Sequence, residues 1–309
     1  MSTQPDREDF LAAVRRVDPS DFARMVAATP DELLGAAMRT ELRGVILDEV
    51  FRRFEWFFET ERAGSAEGTV EWRVGRDGGE PDRYAVRIAN GKCTVEKELT
   101  ARAARTTLEI DAVDCLRLVT GGLSQPLLLL GGRLRVAGDE NFAIEHGGFF
   151  SLPTPDGGSR AADPISDLAR IDLTEIVTVV AETPDAVLRG AVRGAFRDVL
   201  LEEVFRRFPA FIDPERSRGV NAAFEWRIVD DGRRDHYVVA IEDGRCRSGR
   251  EVDAEPQAIL RLGAPDLLKL VTGNANPYRM ILTRRLRFGG DPLLVARLPR
   301  LFRIPAAEQ

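Results

Sequence analysis

What constrains this chain most is that its sequence is written twice. Glu49-Val50-Phe51-Arg52-Arg53-Phe54 returns as Glu203-Val204-Phe205-Arg206-Arg207-Phe208, and Glu71-Trp72-Arg73-Val74 returns as Glu225-Trp226-Arg227-Ile228. Asn90-Gly91-Lys92-Cys93 likewise returns as Asp243-Gly244-Arg245-Cys246. Solenoid repeats recur every roughly 20 to 50 residues. A repeat that fills half of 309 residues is a duplicated domain. Between the copies, Pro153 to Pro164 is rich in Pro, Gly, Asp and Ser, the composition of an exposed linker. The reading is therefore a first domain over 10–151, a linker over 152–164 and a second domain over 165–306.

Within each copy the hydrophobic period changes once. Thr29, followed by Pro30 and Glu32, has the spacing of a capping box at a helix start. Leu42, Val45, Ile46, Val50, Phe51 and Phe54 then recur at helical spacing, as do Phe196, Val199, Leu200, Val204, Phe205 and Phe208. After these helices the period becomes two, which marks strands with one buried face. Val70-Trp72-Val74 and Tyr84-Val86-Ile88 alternate with polar or small residues in the first copy, and Phe224-Trp226-Ile228 and Tyr237-Val239-Ile241 do so in the second. Gly91 and Gly244 turn the chain into a short third strand, and Leu108-Ile110 and Leu260-Leu262 give a fourth. Helices before and after strands joined by tight turns define an α+β class, with helices on one face of a mixed or antiparallel sheet.

The stretch from Asp266 to Phe302 closes the second copy. Leu267, Leu268, Leu270 and Val271 form a helix that stops at Gly273. Asn276-Pro277 and Asp291-Pro292 each pair a capping side chain with a proline at the first helical position. Between them Arg285-Leu286-Arg287-Phe288 alternates as a fifth strand. Val-Thr-Gly-Asn-Ala-Asn-Pro, a short helix, the Leu-Arg-Phe strand, Gly-Asp and an apolar closing helix resemble the C-terminal half of the sterol carrier protein type two domain. The resemblance covers both copies. It implies two five-stranded mixed or antiparallel sheets, each covered by helices around an apolar tunnel that holds lipid.

Several chemistries find no support. His146 and His236 are the only histidines, and no serine or cysteine sits in a recognisable nucleophile setting, so no enzyme is expected. Gly75 to Gly79 falls between two strands and reads as a hairpin loop; it is not a phosphate cradle. Cys93, Cys115 and Cys246 lack metal-ligand spacing, Cys93 and Cys246 at equivalent strand positions read as buried, inert thiols, and the two histidines read as surface or loop residues. No cofactor, metal or nucleic acid is expected, the last because the net charge is −6. The opening residues lack a leader's pattern and the last three are no peroxisomal signal, so the expected compartment is the cytoplasm, and arginine in place of lysine suggests a GC-rich bacterial genome.

The copies are not equivalent. The first has Gly147-Gly148 in its closing helix, a residue type that costs about 1 kcal/mol in a helix interior, and Phe149-Phe150 suited to plugging a cavity. The second copy is therefore expected to bind lipid, through Trp226, Tyr237, Val239, Leu270, Met280, Phe288, Leu298 and Phe302. The ligand is a hydrophobic small molecule such as a fatty acid, an acyl-CoA or a sterol, with transient membrane contact during transfer. Arg284, Arg285, Arg287, Arg297, Arg300 and Arg303 offer either a solvated face or a site for an anionic headgroup. The alternative function is a non-catalytic structural or dimerisation module with filled cores. Helices around Leu33 and Val187 are expected to dock the repeats on each other with approximate two-fold symmetry.

Overall fold

A computed structural model describes residues 15–97 and 104–303. The ends of the two expected domains, 10–14 and 304–306, lie outside the described residues, as do the chain termini read for targeting signals. The chain divides into two compact units, 1–129 with 133–167 and 130–132 with 168–309.

The first unit begins with helices α1 (Pro19–Ala28), α2 (Asp31–Met38), α3 (Leu42–Arg52), α4 (Phe54–Phe57) and α5 (Thr60–Ala63). Strands β1 (Gly68–Gly75), β2 (Asp82–Ala89), β3 (Lys92–Lys97) and β4 (Thr106–Asp111) follow, then α6 (Ala112–Val119), α7 (Gln125–Leu130), β5 (Leu134–Gly138) and α8 (Glu140–Gly148). The sheet order is β3-β2-β1-β4-β5, with β1 antiparallel to β2 and parallel to β4. The sheet is thus mixed, and its order follows from local chemistry. Asn90 and Gly91 both take positive φ (53° and 69°), the two left-handed residues of a hairpin turn whose twist matches the strands. β4 then returns beside β1, where Trp72 stands opposite Tyr84 on one side and Leu108 on the other. That row faces α3, whose Phe51 stacks on Tyr84 with centroids 4.0 Å apart. Each such ring or aliphatic side chain contributes about 1.5–3 kcal/mol when fully buried.

The second unit repeats the plan. Helices α9 (Pro164–Arg170), of which the last three residues belong here, α10 (Leu173–Glu182), α11 (Asp185–Ala191) and α12 (Phe196–Phe211) precede β8 (Asn221–Asp230), β9 (Arg233–Glu242), β10 (Arg245–Gly249) and β11 (Ala258–Leu262). Then come α13 (Ala264–Val271), α14 (Pro277–Leu282), β12 (Arg287–Gly290) and α15 (Pro292–Leu301). The order β10-β9-β8-β11-β12 matches the first sheet, and Trp226 again stands between Tyr237 and Leu260. Phe205 stacks on Tyr237 with centroids 4.0 Å apart.

Three expectations are corrected. The segment 152–164 is not a plain exposed linker: β6 (Ser151–Pro153) and β7 (Ser159–Ala161) form an antiparallel hairpin that buries Leu152 in the first unit's core. The capping box at Thr29 does not form. Its hydroxyl turns back to donate to the Met25 carbonyl at 2.8 Å, and Pro30 itself is the cap of α2. Nor do Gly147 and Gly148 interrupt α8, whose last two residues they are. A Cβ on Gly147 would lie 2.3 Å from the Ala162 carbonyl oxygen beside β7, so glycine there admits a close backbone approach.

Candidate functional site

A cavity lies in the second unit, between the sheet, the closing helix α15 and helices α10 and α12. Its volume is about 460 Å³, within the range of small-molecule sites. Two capping side chains set its wall. Asn276 accepts hydrogen bonds from the Tyr278 and Arg279 amides at 2.9 and 3.2 Å, with Pro277 at the first position of α14. Asp291 accepts from the Leu293 and Leu294 amides at 2.8 and 3.4 Å and starts α15. Gly273 takes φ 73° and ends the turn after α13. These local signals fold the stretch 264–302 into a wall carrying Leu270, Val271, Ile281, Phe288, Val295 and Leu298.

Five of the expected residues line this cavity: Trp226, Leu270, Phe288, Leu298 and Phe302. Tyr237, Val239 and Met280 do not; they are buried in packed core. Tyr237 is covered by the Phe205 ring, and its hydroxyl donates to Glu202 at 3.0 Å, so α12 fills the space over β9. Phe288, placed inward by the period of two, is half-exposed at the cavity rim because no side chain fills the space beneath it. Leu173, Ile176, Phe208 and Phe211 also line the cavity and escaped the sequence reading. The helical spacing of Phe208 carried a signal for burial, and none for a cavity.

The lining is overwhelmingly apolar, and its two charged residues are satisfied within the protein. Arg207 Nε donates to Glu203 Oε1 at 2.5 Å, and its Nη2 donates to the Leu168 carbonyl at 2.6 Å. Burial pushes Glu203 up, but Arg206 and Arg207 outweigh it and hold the carboxyl below its ordinary range. The Trp226 indole N–H has no acceptor among the described residues, and its ring packs edge-on against Phe205 and Phe208. Trp72 repeats the arrangement against Phe51 and Phe54 in the other unit, so it belongs to the packing of this fold.

In the corresponding region of the first unit the described residues pack closely, around pockets of about 20 and 30 Å³. Aromatic rings do the filling. Phe150 packs against Phe54 at 5.2 Å and His146 at 4.9 Å, while Phe142 and Phe149 pack on the other side of His146. Leu152 from the hairpin lines what remains. His146 is thus not the surface residue expected: it is 2% exposed, and burial pushes its pKa down to about 3. Its place in the repeat matches Leu298, an inward position. His236 is on the surface, its Nδ1 3.0 Å from Glu225. Of the three thiols only Cys115 is buried; Cys93 and Cys246, expected to be so, are half-buried, and burial pushes all three up to about 12, which disfavours the thiolate at neutral pH.

Among the described residues no cluster of His, Cys, Asp and Glu could hold a metal ion, and no helix is long and apolar enough to cross a membrane. Solved structures similar to this chain include the inverting sec-alkylsulfatase Pisa1 from Pseudomonas sp., with TM-score 0.31 and 12% identity over 35% of this chain and 17% of the enzyme. They also include sterol carrier protein 2 like 2 from Aedes aegypti, with TM-score 0.28 and 21% identity over 34% of this chain and 95% of that one. The sterol carrier protein 2 from Yarrowia lipolytica aligns with TM-score 0.29 and 20% identity over 34% of this chain and 89% of its own. This chain therefore spans about a sixth of the alkylsulfatase's length. No curated protein sequence matches. The model of the SCP-2 sterol transfer family matches twice, over residues 58–151 and 201–303, which together exceed half of the chain. With a five-stranded mixed sheet under helices in each matched region, the chain belongs to the SCP-2 sterol transfer family, as a tandem pair of its domains.

Proposed function

We propose that this chain is a non-catalytic cytoplasmic lipid carrier whose second domain holds one hydrophobic ligand, a fatty-acyl or sterol-like molecule, for transfer between membranes. The observation that supports the reading is the contrast between the domains: a cavity of about 460 Å³ in one and voids of about 20 and 30 Å³ in the other. Apolar contact alone suffices for affinity, since each buried CH₂ contributes about 0.8 kcal/mol. The inward charges Glu203 and Arg207 bind each other, and Arg207 also donates to the Leu168 carbonyl, so the ligand's polar group belongs at the rim beside Phe288 and Tyr278. The filled core of the first domain favours the alternative, a structural module, for that half alone. Native mass spectrometry of the purified full chain tests the proposal. One lipid per chain, removed by a hydrophobic resin and restored by a fluorescent fatty acid, is the expected result. A clean apo mass, with no uptake after delipidation, would leave only the structural role.

A further inference from the structure

Large apolar side chains of the second domain stand in water at the cavity mouth. Leu282 is 83% exposed, Leu293 72%, Tyr278 54% and Phe288 44%. Tyr278 and Phe288 line the cavity themselves, while Leu282 follows Ile281 and Leu293 follows Pro292, both lining residues. Tyr278 and Leu282 are four apart on α14 and share a face. Arg279, Arg284, Arg287, Arg297 and Arg300 belong to the same stretch of chain, all exposed and without an ion-pair partner among the described residues. Arg285 and Arg303 are different, being tied to Asp266 and Asp213. The carboxylate closest in sequence, Asp291, is occupied as the cap of α15. On α15, Leu293, Arg297 and Arg300 follow at spacings of four and three, so a leucine and two arginines share a face beside the one that lines the cavity.

The duplication supplies an internal comparison. Aligned on Leu134-Arg135-Val136 and Leu286-Arg287-Phe288, the first copy carries Asn141 for Leu293, Glu145 for Arg297 and Gly148 for Arg300. Leu130, which matches Leu282, is buried, so exposed leucines among several unpaired arginines occur on this segment in the copy that has the cavity and not in the other. An acidic protein would answer the arginines but would need a matching pocket for each leucine. An anionic bilayer answers both, with phosphates for the guanidinium groups and an acyl boundary for the leucines. We infer that the second domain docks on an anionic lipid bilayer through the α14, β12 and α15 face, with Leu282 and Leu293 inserted and the cavity mouth against the membrane. The docking stands on exposure and charge; only its use in ligand exchange rests on the lipid-carrier reading.

The test is cosedimentation of the full chain with phosphatidylcholine vesicles, with and without phosphatidylglycerol, alongside uptake of a fluorescent fatty acid from solution. Arg297→Glu/Arg300→Glu should lower partitioning into the anionic vesicles by roughly 25-fold or more, given the attraction each arginine has for such a surface. Arg234→Glu/Arg245→Glu, an equal charge change on exposed β9 and β10 positions, should leave it within about twofold. Leu282→Asp/Leu293→Asp should weaken binding even where high salt has screened the arginines. Equal partitioning into both vesicle types, or equal losses from the mouth and control variants, overturns the proposal. So does binding to polyglutamate, lost in the mouth variant, with no anionic-vesicle binding, which assigns the face to an acidic protein. Vesicle binding with no fatty-acid uptake supports docking and fails the carrier reading.

Discussion

Filling the second domain's cavity with rings, as the first domain's sequence does, should abolish ligand uptake and stabilise the ligand-free protein. Val295 and Leu298 are buried on α15 and line the cavity. Val295→Phe/Leu298→Phe places aromatic bulk where the first copy has Ala143 and His146 backed by Phe142, Phe149 and Phe150. Filling about a fifth of the 460 Å³ would recover about 2 kcal/mol at about 24 cal/mol per Å³ of cavity. For a domain of this size that corresponds to a rise of roughly 6–8 °C in the second domain's transition. Scanning calorimetry of the delipidated full chain reads it, with and without added fatty acid. The ligand should raise the wild-type transition, by about 2.7 kcal/mol at a hundred times the Kd, and leave the variant's unmoved. Two results would refute the reasoning. A variant transition still raised by fatty acid places the ligand elsewhere, and a lowered ligand-free transition in both single variants means that the space is not free.

Other perturbations test other parts of the structure. Gly147→Ala should destabilise the first domain by about 1–3 kcal/mol, because its Cβ meets the Ala162 carbonyl at 2.3 Å; Gly148→Ala, with its nearest neighbour at 3.9 Å, should be neutral or stabilising by up to about 1 kcal/mol in urea titrations. Burial holds His146 near pKa 3, against about 6.5 unfolded, so below pH 6.5 the unfolded chain takes a proton that the folded one refuses. Stability of the first domain should therefore fall by on the order of 2 kcal/mol from pH 6.5 to 5, and His146→Leu should remove that slope in denaturant titrations at the two pH values. Asp291→Ala, which strips the cap of α15, should cost about 1 kcal/mol and speed amide exchange in that helix, whereas Asp291→Asn should cost far less.

How much of this was legible in the sequence depends on whether the signal was local. The five strands of each sheet, the Asn90-Gly91 and Asp243-Gly244 turns and the Asn276 and Asp291 caps each rest on a few neighbouring residues, and the fold reading was correct there. Thr29 shows the limit of even a local motif, since its hydroxyl had a second acceptor one turn back. The site depended on something no period encodes. Tyr237 and Trp226 have the same inward phase on adjacent strands, yet Phe205 covers the first while the second borders open space. His146 was misread from its residue type although the repeat set it opposite Leu298, an available signal. Gly147 could not be interpreted until the hairpin carrying Ala162 was placed against it. The two domains share strand order, register at the central tryptophan and the stacked tyrosine, so the backbone plan does not decide whether a cavity exists. That is decided by the side chains of α8 or α15 and of the residues after them: rings at Phe142, His146, Phe149 and Phe150, with Leu152, in the first domain and mostly aliphatic side chains in the second. Within this fold, cavity volume can therefore change through a few positions of the closing segment, with the sheet and its packing left intact.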